Sequence, residues 1–226
     1  MKHHCTELVF LLDRSGSMSG LESDTIGGFN GMLERQKKEP GEAVVTTVLF
    51  DDQYQLLHDR IPLQAVRPMD DGQYFVRGCT ALLDAIGRTV NKVANVHRGM
   101  AEAYRPDRVL FVIITDGHEN ASREYSWDKV KALVEHAKEK YGWEFLFLGA
   151  NLDAVGAAAR FGISADRAVQ YHSDRIGTQV NYQAVDQAVS DFRAGRLAPS
   201  GTRNGSAWKR RIEADFRGRK KGRGKR

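Results

Sequence analysis

Cysteine and proline are scarce in this sequence, and it has no long hydrophobic run. Among 226 residues there are five prolines and two cysteines, and Cys5 and Cys79 form neither a C-x-x-C motif nor a disulfide framework. We expect two reduced, partly buried thiols. No stretch approaches the roughly 18 apolar residues of a membrane span, so we expect no membrane segment. The start, Met1 to Glu7, lacks the apolar core of a secretory signal, which together with the cysteine usage favours a cytoplasmic protein.

Signatures of common enzyme classes are missing as well. The chain has no G-x-x-x-x-G-K-[ST] phosphate-binding loop, and no cluster of histidines and cysteines with zinc spacing. Ser15 lies outside a G-x-S-x-G elbow because Asp13 replaces the first glycine. A dehalogenase-type phosphatase would need an aspartate where Ser15 stands. We therefore expect a protein that is not an enzyme. One open interpretation is that His118 and Glu119 form a general-base pair, and the alternative is that His118 is a histidine on a surface loop.

The positive charge of the chain is concentrated at its end. The total net charge is +5, but residues 208–226 hold ten Lys and Arg against Glu213 and Asp215, a net charge of +8 that leaves −3 for the rest. After Gly195 the composition shifts to glycine, serine, arginine and lysine. The sequence thus predicts one domain over residues 1–195 and a basic, disordered tail over residues 196–226.

Strand patterns alternate with helix patterns throughout the predicted domain. This order predicts an α/β fold with a doubly wound, mostly parallel six-stranded sheet, in which the third strand is an antiparallel edge strand. The predicted strands cover residues 7–13, 43–51, 53–61, 108–115, 143–148 and 167–171. The predicted helices cover residues 23–38, 80–97, 127–141, 153–161 and 180–193, with Ser23 or Asp24 capping the first and Ser126 capping the third.

Oxygen-bearing side chains follow the first apolar run. Residues 8–12 read as a buried strand, which ends in Asp13 and is followed at once by Ser15 and Ser17. Open α/β sheets place their ligands beyond the carboxyl ends of the strands. Carboxylate and hydroxyl oxygens suit Mg²⁺, Mn²⁺ or Ca²⁺ and suit zinc poorly. Turn formation without any metal is the alternative role for these three residues.

A second strand and a helix start supply two further oxygen-bearing residues. Residues 109–114 form another apolar run, which ends in the sequence Thr-Asp-Gly at Asp116. Between the two runs, Thr80 stands just ahead of a strong helix pattern. For Thr80 alone a helix N-cap is an equally good interpretation, and the two roles are compatible. The three parts lie far apart in the sequence yet in a consistent order, which makes the pattern specific.

D-x-S-x-S, a later threonine before a helix, and a strand that ends in T-D-G are the three parts of a metal-ion-dependent adhesion site (MIDAS). From Thr6 to Phe192 the chain resembles the von Willebrand factor A-type (VWA) domain family, and in particular its stand-alone, intracellular members from bacteria or phages. All five positions of the metal site are filled, by Asp13, Ser15, Ser17, Thr80 and Asp116.

The resemblance implies a non-catalytic binding module that works with a divalent ion, Mg²⁺ or else Mn²⁺ or Ca²⁺. It implies that Thr80 contacts the ion directly in the ligand-competent state, and that Asp116 often acts through water. Neutral hydroxyls leave the ion short of ligands and of negative charge, so we expect a protein partner that presents an Asp or Glu. We also expect the protein to be a monomer. The alternative is a nucleic-acid-associated protein whose tail contacts DNA or RNA non-specifically while the domain docks a protein.

Overall fold

The computed structural model describes the backbone of residues 5–223 and the side chains of residues 5–219. The strands are β1 (Cys5–Asp13), β2 (Glu42–Phe50), β3 (Tyr54–Pro62), β4 (Arg108–Thr115), β5 (Glu144–Ala150) and β6 (Ala168–Tyr171). The α-helices are α1 (Glu22–Gln36), α2 (Leu82–Gly99), α3 (Trp127–Tyr141), α4 (Ala154–Arg160), α5 (Arg175–Arg193) and α6 (Arg210–Arg223). Short 3₁₀ turns lie at Gly16–Met18, Leu63–Ala65, Glu102–Tyr104, Ala165–Arg167 and Ala207–Lys209.

The six strands form one sheet in the order β3-β2-β1-β4-β5-β6. β3 runs antiparallel to β2 at one edge, and the other strand pairs are parallel. The predicted fold class is therefore confirmed. In the register of β1 with β4, Leu12 lies opposite Ile114. The residues that follow these two, Asp13 and Thr115, consequently leave the sheet side by side at its carboxyl edge.

Side chains of the central strands alternate between two cores, because successive residues of a strand point to opposite faces. In β1, Leu8, Phe10 and Leu12 belong to the core that is covered by α1, α5 and α6. Val9 and Leu11 belong to the core covered by α2, α3 and α4. All five side chains are fully buried. This two-sided burial explains why the sequence of β1 is continuously apolar rather than alternating.

Side-chain caps fix the starts of three helices. Ser126 caps α3 as expected, accepting a hydrogen bond from the Lys129 amide, and Asp153 caps α4. Asp174 caps α5, which begins at Arg175, five residues earlier than the apolar pattern predicts. The predicted cap of α1 is wrong: the helix begins at Glu22, so Ser23 and Asp24 lie inside its first turn.

The prediction of a disordered tail from residue 196 is wrong for the part of it that the structure describes. Trp208 and Ile212 are buried in the core formed with α5 and β6. The Trp208 indole donates a hydrogen bond to the Asp166 carbonyl at 2.9 Å. Helix α6 also stacks the Phe216 ring on His172, with ring centroids 4.5 Å apart. The domain therefore extends beyond residue 195; residues 224–226 lie outside the described part.

A buried arginine attaches the segment that leads to α6. Arg167 is only 2% exposed, and its guanidinium donates to the carbonyls of Ala198 and Gly205, each at 2.7 Å, and to Glu144 at 2.9 Å. Lys209 is also buried and donates to two carbonyls of the 165–168 segment. These cations bind backbone carbonyls, so the high charge of this region does not prevent it from folding onto the domain.

The two cysteines differ in exposure, and the helices were compared with the length and apolarity that a membrane span requires. Cys5 is half-buried and Cys79 is exposed, and both are free thiols, so the expected partial burial holds for Cys5 alone. Among residues 5–223, no helix is both long and apolar enough to cross a membrane.

Candidate metal centre

Asp13 lies at the carboxyl end of β1 and is almost fully buried. Its Oδ1 accepts a hydrogen bond from the Ser15 amide at 2.7 Å, and its Oδ2 accepts one from the Thr115 hydroxyl at 2.5 Å. The Tyr74 hydroxyl donates to the Asp13 carbonyl at 2.6 Å. The carboxylate is therefore held in one orientation by its own loop and by the neighbouring strand β4.

Three hydroxyls from two distant segments meet beside Asp13. The Oγ atoms of Ser15 and Ser17 are 3.1 Å apart, and the Thr80 hydroxyl donates to Ser15 Oγ at 2.9 Å. Ser15 and Thr80 are buried, whereas Ser17 is exposed. The structure thus brings together the hydroxyls that the sequence predicts, with one of them facing solvent. Thr80 does not cap α2, whose N-cap position is Ala81.

Asp116 directly follows β4 and has one satisfied and one orphaned oxygen. Its Oδ2 accepts a hydrogen bond from the Ser173 hydroxyl at 2.7 Å. Its Oδ1 is buried and has no hydrogen-bond partner within the described structure. A buried carboxylate oxygen without a partner carries a large desolvation cost, which a cation would offset. Ser173, in the loop after β6, is a site residue that the sequence motifs do not indicate.

Gly117 leaves open the space around which the hydroxyls lie. A Cβ atom at this position would come within 2.8 Å of Thr80 Oγ1, 2.9 Å of Ser17 Oγ and 3.6 Å of Ser15 Oγ. A single point within reach of all three hydroxyls therefore lies next to the Gly117 backbone. Any side chain there would compete with an ion for the same space.

Hydrogen bonds between backbones hold the Thr80 loop against the ends of β1 and β2. The Gly16 amide donates to the Gly78 carbonyl at 3.1 Å, and the Arg77 amide donates to the Arg14 carbonyl at 3.0 Å. The fully buried Arg14 side chain donates to Asp51 at 2.9 Å, and the Arg77 guanidinium donates to the same Asp51 oxygen at 2.6 Å. This ion-pair cluster fixes the spacing between the three loops of the site.

The loop after Asp116 supports Thr80 from the other side. The side-chain oxygen of Asn120 accepts a hydrogen bond from the Thr80 backbone N–H at 2.9 Å, and the backbone N–H of Asn120 donates to the Thr80 carbonyl at 3.0 Å. Both carboxylate oxygens of Glu119 accept hydrogen bonds, from Ser122 among others and from the Leu83 amide at the start of α2. Glu119 therefore holds the loop in place, while His118 is exposed.

The two carboxyl groups of the site have perturbed proton affinities. Burial raises the pKa of Asp13 to about 6, although hydrogen bonds from Thr115 and Ser15 oppose the shift. Burial also raises the pKa of Asp116, against the hydrogen bond from Ser173. Both shifts arise because a carboxylate loses its hydration in this environment. A divalent cation between the two groups would favour their charged forms.

The chemistry of these donors fits a hard cation. Within the part of the chain that the structure describes, no cluster of three or more His, Cys, Asp or Glu residues offers another metal site. The five oxygen-bearing side chains instead combine two carboxylates with three hydroxyls, without nitrogen or sulfur. Such a set is typical of sites for Mg²⁺, Mn²⁺ or Ca²⁺. The orphaned Asp116 oxygen and the open space at Gly117 meet the same requirement.

The architecture is the α/β fold of von Willebrand factor A-type domains, as comparison with solved structures shows. Similar structures include proximal thread matrix protein 1 from the mussel byssus, with a TM-score of 0.55, 14% identity, and coverage of 82% of this chain and 46% of that one. A VWA protein from Catenulispora acidiphila has a TM-score of 0.53, 10% identity, and coverage of 82% and 42%. The D319A mutant of the PilB minor pilin from Streptococcus sanguinis has a TM-score of 0.55, 11% identity, and coverage of 86% and 63%.

These similarities concern the fold. The chain spans less than half the length of the first two proteins and less than two thirds of the third. One structure of the byssus protein, with a TM-score of 0.52 and 13% identity, has a MIDAS motif occupied by zinc. No protein-family model and no curated protein sequence matches this chain.

Proposed function

We propose that this protein is a non-catalytic binding module that holds a divalent ion, Mg²⁺ or else Mn²⁺ or Ca²⁺, and through it captures an acidic residue of a protein partner. The observation that carries the proposal is that three hydroxyls lie around one open point next to two buried carboxylates, with Asp116 Oδ1 left without a partner. The zinc-occupied MIDAS motif of the byssus protein supports a divalent ion as the ligand.

The donor set accounts for the need for a partner. Asp13, Ser15, Ser17, Thr80 and Asp116 would hold the ion, and three of these five ligands are uncharged. A hard divalent cation that prefers at least six oxygen ligands is then short of both ligands and negative charge. Ser17 is exposed, so an ion held by these residues would be accessible from solvent. An Asp or Glu from a partner supplies an oxygen and a charge together, which favours an acidic protein partner.

Affinity capture with the full chain as bait tests the proposal. A partner retained in Mg²⁺ should be released by EDTA, should return when Mg²⁺ is restored, and should not be captured by Asp13→Ala. Thr80→Ala should weaken partner capture more than ion binding, if Thr80 contacts the ion mainly in the bound state. Capture that survives both EDTA and Thr80→Ala would place the interaction surface elsewhere.

Contact with nucleic acid through the carboxyl-terminal region is the second candidate function. Arg210 and Arg211 on α6 are exposed and have no carboxylate partner among the described side chains, which leaves them available for phosphates. Because Trp208 belongs to the core, deleting the region would damage the fold. The test therefore replaces both arginines by Gln. This candidate requires that retention on single-stranded DNA decrease for the double variant and fall steeply with salt, with Arg88→Gln, an arginine paired with Glu124, as control.

A further inference from the structure

A groove adjoins the candidate metal centre on the side of α3 and α4. Gly117 and His118, which follow Asp116 directly, line one end of it, and Arg160 lines the groove from α4. Its volume is about 390 Å³, which is enough for one large side chain and part of a peptide backbone. Because Gly117 belongs to both features, the groove and the candidate metal centre adjoin.

The floor of the groove is apolar. It is formed by Leu82, Trp127, Phe147, Leu152 and Ala157. The half-buried Trp127 ring is stacked between Phe161, with ring centroids 4.8 Å apart, and Arg160, so it presents its edge to the groove. An apolar surface of this kind favours an apolar side chain of a ligand.

Arg160 supplies an available positive charge at the rim. Its guanidinium lies 3.5 Å above the centre of the Trp127 ring, and it has no carboxylate partner among the described side chains. Stacking holds the plane of the guanidinium while leaving its N–H groups at the edge available for a carboxylate. Two carboxylates, Asp153 and Glu119, also line the groove; Asp153 caps α4, and Glu119 accepts hydrogen bonds from its own loop. Recognition of a ligand carboxylate in the groove therefore rests on the free N–H groups of Arg160.

We propose that the partner is an acidic peptide segment with three features: a carboxylate at the metal centre, an apolar side chain in the groove, and a second carboxylate at Arg160. This inference rests on the proposed function, because the first carboxylate is the one that completes the ion's shell. An extended peptide advances about 3.3 Å per residue, so a second acid one to four residues from the first covers about 3 to 13 Å.

A peptide array in Mg²⁺ tests the three features separately. Each peptide has either Asp or, as its control, Asn at one fixed position, either Leu or Ala beside it, and either Glu or Gln at one to four residues beyond. Full-length protein should be retained only by peptides with the fixed Asp, and best by those with both Leu and Glu. In solution, by fluorescence anisotropy, we expect Glu to bind about tenfold more tightly than Gln at the best spacing.

Two pairs of variants assign the preferences to the groove. Arg160→Gln should remove the preference for Glu, whereas Arg98→Gln, an exposed arginine outside the groove, should retain it. Ala157→Phe fills the groove and should remove the preference for Leu, whereas Ala159→Phe, exposed on the same helix, should retain it. Thermal unfolding of each variant reports whether the domain remains folded.

The outcomes separate this inference from the function on which it rests. If calorimetry shows that Mg²⁺ binds but no peptide is retained, or that Arg160→Gln and Ala157→Phe keep the wild-type preferences, the groove assignment is wrong and the metal site stands. If peptides are retained equally by Asp13→Ala and in EDTA, the metal-dependent function is wrong. Preferences that vanish only in the two groove variants support the inference.

Discussion

Replacing Trp208 by Ala should destabilise the whole domain, although the residue lies in a segment whose composition suggests disorder. Trp208 is 8% exposed and packs in the core with Ile212. Its indole N–H donates to the Asp166 carbonyl at 2.9 Å. The substitution would remove the buried ring and leave a carbonyl without its partner.

Removing a large aromatic side chain from a core costs about 3–5 kcal/mol. Because Trp208 lies at the border of its core, we expect a loss of about 3 kcal/mol in the free energy of unfolding. With a urea dependence of about 2 kcal/mol per molar, the unfolding midpoint would fall by about 1.5 M. Circular dichroism during urea unfolding measures this shift. Arg210→Ala, an exposed neighbour, should change stability by less than about 0.5 kcal/mol. A Trp208→Ala variant as stable as this control would show that the segment after residue 195 is not part of the folded domain.

Three further substitutions test the packing and electrostatics of the fold. Gly28→Ala should lower the free energy of unfolding by about 1–3 kcal/mol, because its Cβ would lie 2.2 Å from the Tyr182 ring. The control Gly27→Ala meets no atom within 4 Å and should be neutral or stabilising. Equal unfolding midpoints for the two variants would contradict this packing. Asp51→Ala leaves the buried Arg14 guanidinium without its carboxylate, so the free energy of unfolding measured in urea should fall by about 3–5 kcal/mol. A loss under 1 kcal/mol would show that this ion-pair cluster does not stabilise the fold. Burial lowers the pKa of His58 below its ordinary 6.5, so the folded state disfavours the protonated form. Stability should therefore decrease as the pH falls below about 6.5, and His58→Gln should weaken this dependence; an unchanged pH profile of the melting temperature would argue against it.

The sheet and the side chains that meet at the candidate metal centre can be predicted from the sequence because their signals are local and repeated. A strand buried on both faces must be continuously apolar, so β1 and β4 stand out with their ends marked by Asp13 and Asp116. Parallel strands then bring these two ends to the same edge of the sheet. The hydroxyls can be predicted in the same way, because Ser15 and Ser17 follow Asp13 directly and Thr80 precedes the strongly amphipathic helix α2.

Other features depend on contacts that composition conceals. Trp208, Ile212 and Phe216 recur every four residues, which is a helical apolar stripe, but the surrounding lysines and arginines mask it in a reading by composition. Ser173 contacts Asp116 only because β6 lies two strands away from β4 at the same edge of the sheet. No spacing in the sequence indicates that contact, since it is a product of the tertiary fold.

Calorimetric titration of Mg²⁺ and Mn²⁺ into Gly117→Ala tests the central claim most directly. The substitution keeps all five oxygen-bearing side chains but places a methyl group 2.8 Å from Thr80 Oγ1 and 2.9 Å from Ser17 Oγ, so these hydroxyls must turn away. We predict that the wild type and Gly27→Ala bind one divalent ion, that Asp13→Ala does not, and that Gly117→Ala loses at least tenfold in affinity while remaining folded. Ion binding by Gly117→Ala and Asp13→Ala at wild-type affinity would show that the ion binds elsewhere.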